Sequence, residues 1–146
     1  MYKIIVNTDG ASRGNPGPGA IGVVIKNEAG EVIKKYSEYL GLERTNNEAE
    51  YEAVIFSLKK LKLLLGKKAI KKAEVEIRSD SELLVKQMNG EYKIMEIALQ
   101  KLFMKIWNLK TEFGKVIFVY VPREENSEAD RLANLALDKN ARQSLF

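Results

Sequence analysis

The sequence predicts an α/β domain built on a five-stranded mixed sheet flanked by helices, and three observations carry that prediction. Three strand-like stretches follow one another at the N-terminus. Helical and strand-like stretches alternate after them, in the order βββαβααβα. Hairpin chemistry joins the early strands, while long helical connections join the later ones, so antiparallel and parallel neighbours share one sheet.

The first strand is read over residues 2–9, where Ile4-Ile5-Val6 runs into Asp9-Gly10 and a Gly/Pro cluster, Gly14-Asn15-Pro16-Gly17-Pro18-Gly19. An apolar run cut off in this way places Asp9 where the strand stops. Ala20 to Ile25 reads as the second strand, Asn27-Glu28-Ala29-Gly30 as a turn, and Glu31 to Leu40 as the third strand. Residues 41–45 connect to a long helix that begins at Asn46 or Asn47 and ends near Leu65, with Gly66 as its stop. The alternation from Ala73 to Ser79 is a fourth strand, followed by Asp80 and a short helix from Ser81 to Met88. Glu96 to Phe113 reads as a helix whose apolar positions are Ile97, Leu99, Leu102, Phe103, Ile106, Trp107 and Leu109. A fifth strand from Lys115 to Val121 ends at Pro122, and a last helix runs from Ser127 to about Asn140. One domain over 1–146 is expected, with 141–146 as a C-terminal tail that includes Ser144-Leu145-Phe146.

Composition narrows the chemistry. The 146 residues contain no Cys and no His, which excludes disulfides, thiolate zinc sites, imidazole ligands and Ser-His-Asp catalysis. Any metal must therefore be held by oxygen, which favours Mg²⁺ or Mn²⁺. No apolar run reaches the length of a membrane span and no signal-peptide pattern opens the chain, so a cytoplasmic protein with no membrane association is expected. The net charge is +4, unevenly spread: seven lysines and no acid lie between Lys59 and Lys72. That run is either a nucleic-acid contact or a solvated helix face running into a loop.

Helical geometry selects one acid of the long helix. Taking Glu50 as origin, Val54, Ser57, Leu58, Leu61 and Leu65 all fall within about 80° of it, whereas Glu48 and Glu52 fall about 160° away. Glu50 thus lies on the stripe that packs against the sheet, where a carboxylate is costly unless compensated. An Asn47/Glu50 capping box would compensate it in part, and a bound cation would do so more fully. Asp80 has a helix cap as its alternative role, and Asp130 a Ser127–Asp130 capping box. Four such acids, Asp9, Glu50, Asp80 and Asp130, all at loop-facing ends of elements, are hard to attribute to capping alone. Two cations about 4 Å apart, held by grouped carboxylates, suit in-line phosphoryl displacement.

The motifs then match a family. Thr8-Asp9-Gly10 with the Gly/Pro cluster, Thr45-Asn46-Asn47-Glu48-Ala49-Glu50-Tyr51, Ser79-Asp80-Ser81 and Asn126-Ser127-Glu128-Ala129-Asp130 closely resemble type 1 ribonuclease H, in that family's order over about residues 2–138. The resemblance implies the ribonuclease H-like fold and a metal-dependent endoribonuclease. Such an enzyme hydrolyses the RNA strand of RNA–DNA hybrids by a two-metal-ion mechanism, leaving 5′-phosphate and 3′-hydroxyl ends. It makes Asp9, Glu50, Asp80 and Asp130 both catalytic and metal-binding, with two Mg²⁺ per site or Mn²⁺ in their place. It also sets Ser12, Arg13, Asn15, Asn46 and Asn47 along the hybrid's minor groove, where amides can read 2′-hydroxyls and base edges.

Departures from the family pattern are visible. Many relatives carry a His in the loop before the last helix; Tyr120 to Asn126 has none, and Arg123, Glu124 and Glu125 are the candidate substitutes. Residues 89–93 are too short for the basic protrusion of some relatives, which leaves Lys93 and the Lys59–Lys72 run for hybrid affinity. The motif begins at residue 9, so no N-terminal hybrid-binding domain is expected, and the chain is expected to act as a monomer. Two other readings stay open: the same chemistry on double-stranded RNA, and a nucleic-acid-binding module without chemistry. The complete acidic set argues against the latter.

Overall fold

An unbroken apolar run suits a strand covered on both faces, and β1 (Tyr2–Ser12) lies at the centre of the sheet. In this computed structural model, which describes residues 2–144, β1 pairs antiparallel with β2 (Gly17–Asn27) and parallel with β4 (Ala73–Ser79). β3 (Val32–Arg44) continues the antiparallel side and β5 (Lys115–Tyr120) the parallel side, giving the order β3-β2-β1-β4-β5.

One face is covered by α1 (Asn46–Leu65) and α4 (Ile97–Lys110), where Val6, Ile21, Val23 and Ile77 meet Tyr51, Val54, Leu58, Leu99 and Ile106 in the main core. The other face carries α5 (Ser127–Gln143), with Val24 against Ala129 and Leu132, and Ala20 against Ala136 and Leu137. Two glycines set how close these helices come. A Cβ on Gly10 would lie 2.2 Å from the Ala49 carbonyl carbon, and one on Gly22 would lie 1.9 Å from the Ala129 oxygen. Each position admits a helix backbone where any side chain would hold it off.

Several expected boundaries move. β1 extends three residues past Asp9, and β2 starts at Gly17, because the hairpin ladder continues to Ser12↔Gly19. β3 takes in residues 41–44, expected as a connection, by pairing Arg44 with Gly17. A short helix, α2 (Lys67–Ile70), follows Gly66, and α3 covers Glu82–Met88. A 3₁₀ turn (Arg123–Glu125) precedes α5, which runs three residues beyond Asn140; residues 141–143 of the expected tail are therefore helical. Leu145 and Phe146 lie outside the described residues. Helix α4 is shorter than expected, and two of its expected core positions, Ile97 and Trp107, are exposed (70% and 48%) while Leu99 and Ile106 are buried. Among the described residues no helix is long and apolar enough to cross a membrane.

Candidate active site

Asp9 does not close its strand. It sits within β1, paired with Gly22, but two residues beyond Asn7↔Arg78, the last β1–β4 pair. The open edge comes from the neighbour: β4 stops at Ser79, and Asp80 follows it directly. Asp9 is nevertheless only 5% exposed.

Glu50 enters from α1. Gly10 N–H donates to its Oε1 at 3.0 Å, and Ser79 Oγ donates to Oε2 at 3.4 Å. Asp9, Glu50 and Asp80 each offer a carboxylate oxygen within 4.8 Å of the others. Asp130, on α5, lines the same cleft but stands outside that group; Asn134 Nδ2 donates to its backbone carbonyl at 3.0 Å and approaches its Oδ1 at 3.4 Å.

The alternative roles of these acids fall to other residues. Thr45 and Glu48 form the capping box of α1, Ser81 Oγ accepts from Leu84 N–H at the start of α3, and α5 begins after Asn126 with no side-chain cap. The Asn47/Glu50 and Ser127/Asp130 boxes therefore do not form, and Asp80 is not a cap. None of the four acids is used as a helix cap.

Electrostatics make the arrangement costly without a cation. Burial pushes the Asp9 carboxyl far above its ordinary value, and the charges of Glu50 and Asp80 push it further. Burial also raises Glu50, against hydrogen bonds from Gly10, Asp9 and Ser79. Asp80 is raised by burial as well, opposed by the donor amide of Asn126 and the charge of Arg123. An all-oxygen donor set of clustered carboxylates fits a hard divalent cation such as Mg²⁺ or Mn²⁺.

The four acids line a cleft of about 480 Å³ together with Ser12, Asn46, Asn47 and Arg123. Ser12 N–H donates to Asn46 Oδ1 at 3.0 Å and Asn46 N–H to Asn15 Oδ1 at 3.1 Å, so three expected binding residues are tied to one another. Asn15 itself supports the rim. Arg13 turns to α5, pairing with Asp138 at 2.6 Å. Lys93, Glu124 and Glu125 are exposed and do not line the cleft. The Lys59–Lys72 run lies at the end of α1 and just before β4, opposite the end at which Asp80 follows that strand. Sequence reasoning missed Tyr120 and Asn134 in the lining, and Asn126 behind Asp80. Asn126 did stand in the last motif, whereas Tyr120 and Asn134 carried no signal of their own.

The family model described as reverse transcriptase-like matches residues 7–136. The crystal structure of LC11-RNase H1, isolated from compost by a metagenomic approach, superposes with a TM-score of 0.89 at 50% identity, over 97% of this chain and 99% of that one. The chain belongs to the type 1 ribonuclease H family. Within that family it is 37% identical over 130 residues to ribonuclease HI of Halobacterium salinarum, covering 89% of this chain and 62% of the relative. It is 36% identical over 139 residues to the bifunctional protein Rv2228c of Mycobacterium tuberculosis, covering 95% of this chain. The type 1 ribonuclease H unit seen here spans 36% of that relative's length. LC11-RNase H1 has also been crystallised in complex with an RNA/DNA hybrid, and that structure shares 49% identity and a TM-score of 0.89 over 94% of this chain and 99% of that one.

Proposed function

We propose that this chain is a metal-dependent endoribonuclease that hydrolyses the RNA strand of RNA–DNA hybrids, leaving 5′-phosphate and 3′-hydroxyl ends. The observation that carries the reading is the mutual approach, within 4.8 Å, of carboxylate oxygens from Asp9, Glu50 and Asp80. The hybrid complex of LC11-RNase H1 supports the substrate class.

Asp9, Glu50 and Asp80 would hold the metal, Mg²⁺ or Mn²⁺, and Asp130 would supply a further oxygen from α5 for a two-ion site. Held there, divalent cations would supply water activation and stabilisation of the leaving oxygen in an in-line displacement. The protein's own part is to fix the ligands. Gly10 N–H and Ser79 Oγ aim the Glu50 carboxylate, while Asn126 and Arg123 attend Asp80. Ser12, Asn46 and Asn47 offer amide and hydroxyl groups to a wide, shallow minor groove, so recognition rests on duplex shape and the 2′-hydroxyl, with little dependence on base sequence. Of the three candidates for the absent histidine, Arg123 alone lines the cleft. A guanidinium stays protonated at neutral pH, so Arg123 acts by its charge on phosphate and not as a proton acceptor.

The test is cleavage of end-labelled RNA in RNA–DNA, RNA–RNA and DNA–DNA duplexes, each with Mg²⁺, with Mn²⁺ and with chelator, beside an Asp9→Asn control. Metal-dependent cutting of the hybrid, lost in the control, is expected. Comparable cutting of RNA–RNA widens the substrate class, and binding without cleavage under either metal overturns the enzyme reading.

A further inference from the structure

Asn7 stands two residues before Asp9 on the same face of β1 and is 4% exposed. Its partner across the hairpin, Val24, packs on Ala129 and Leu132, so an apolar side chain would suit position 7. Instead Asn7 donates through Nδ2 to Oδ1 of Asn126 at 3.1 Å, and its own Oδ1 is buried without a partner. An unpartnered buried acceptor works against the fold, so stability does not account for an amide here.

Asn126 is 1% exposed, and its amide is fully committed. Oδ1 accepts from Asn7 and Nδ2 donates to the Thr8 carbonyl at 2.9 Å, while the same amide favours the charged form of the neighbouring Asp80 carboxyl. A flipped amide would set Oδ1 against the Thr8 carbonyl and the Asp80 carboxylate, and Nδ2 against the donor of Asn7. Only one orientation suits the groups that meet the Asn126 amide.

We propose that Asn7 is a positioning residue for the active site: by donating to Oδ1 of Asn126 it locks that amide with Nδ2 turned toward Asp80. The inference rests on the reading of Asp80 as a site carboxylate. Residues that orient a metal ligand from behind commonly matter to activity by about 10- to 100-fold. A cavity of about 150 Å³ beside Asn7, lined by Lys26, Ser127 and Glu128, leaves room for a longer amide.

The test compares the native chain with Asn7→Val, the smaller Asn7→Ala, and Asn7→Gln. In Val and Ala variants the orphan acceptor moves from Asn7 to Asn126, so thermal midpoints stay within a few degrees. For these two, kcat on the hybrid falls about tenfold with KM unchanged. In ¹⁵N spectra of the metal-free protein the Asn126 side-chain amide protons lose their exchange protection. Asn7→Gln restores both readouts. Unchanged Asn126 protection in Asn7→Val and Asn7→Ala overturns the proposal, as does a fall in midpoint with kcat and protection intact, which would mean packing alone. The spectra are independent of cleavage: a native chain that cuts no hybrid defeats the proposed function, while the amide readout still decides the role of Asn7.

Discussion

Gly10 N–H donates to the Glu50 carboxylate at 3.0 Å across a joint so tight that a Cβ at position 10 would lie 2.3 Å from Glu50 N. The contact that aims a site carboxylate is therefore also the contact that seats α1 on β1. Gly10→Ala must push the helix away. A loss of about 1–3 kcal/mol, as for other overpacked sites, is expected in denaturant titration, with hybrid cleavage reduced more than the stability loss explains. An Ala variant with native activity would show that the joint yields freely.

Asp9→Asn should abolish cleavage and yet stabilise the metal-free protein. A carboxyl whose pKa is raised on folding contributes its stability below the unfolded value of 3.8 and loses it as pH rises through the folded value. At pH 7 in chelator, the buried Asp9 thus works against folding. Replacing the titrating carboxyl by a neutral amide should gain at least one pKa unit's worth, about 1.4 kcal/mol. Calorimetric midpoints in chelator should show the gain at pH 7 and its disappearance near pH 4. Added Mg²⁺ should raise the native midpoint and leave the variant's where it was.

Glu76 provides the opposite pH dependence. Burial pushes its carboxyl up, but hydrogen bonds from Arg78 Nε at 2.5 Å and Lys3 Nζ at 3.0 Å, with their charges, bring it below the ordinary value of 4.5. A depressed folded pKa contributes stability above 4.5 that is lost as pH falls through the folded value. Glu76→Gln should cost about 1 kcal/mol at pH 7, with the difference closing below pH 4. A constant difference from pH 7 to pH 3 would rule this ion pair out as the cause.

The four lysines at 67, 68, 71 and 72 lie at the end of the sheet away from the carboxylates. Replacing all four by Gln should leave kcat and KM for a short hybrid within about twofold, since exposed charges beyond a Debye length of roughly 8 Å are largely screened. A several-fold rise in KM would return them to the substrate path.

Asp130 stands apart from the other three acids and is tied to Asn134. Asp130→Asn should accordingly retain more activity than Glu50→Gln or Asp80→Asn when initial rates are compared at saturating Mg²⁺. Equal losses at all three positions would place Asp130 on the same footing as the triad.

Sequence by itself determined the sheet and its strand count, and singled out the four acids as candidates. Apolar runs bounded by glycine and proline mark strands through local chemistry, and helical periodicity separates Glu50 from Glu48 and Glu52 without any tertiary information. Ends of elements were less legible, because pairing partners decide them: β1 runs on past Asp9 since β2 continues to pair with it, and β3 absorbs residues 41–44 for the same reason. Caps behaved likewise, with Thr45 taking α1 two residues before Asn47, and Ser81 taking α3 one residue after Asp80.

Only the tertiary structure decided how the acids group. Three meet where β4 falls short of β1, and the fourth stays on α5 within reach of the same cleft. It also decided that the lysine run lies far from them, and that Asn7 meets Asn126, whose amide favours the charged form of Asp80. The physical reason is common to all of these. Local propensity acts over a few residues, whereas the convergence of positions 7, 9, 50, 80 and 126 depends on strand register and on helices admitted by Gly10 and Gly22, which are fixed only when the whole sheet is packed.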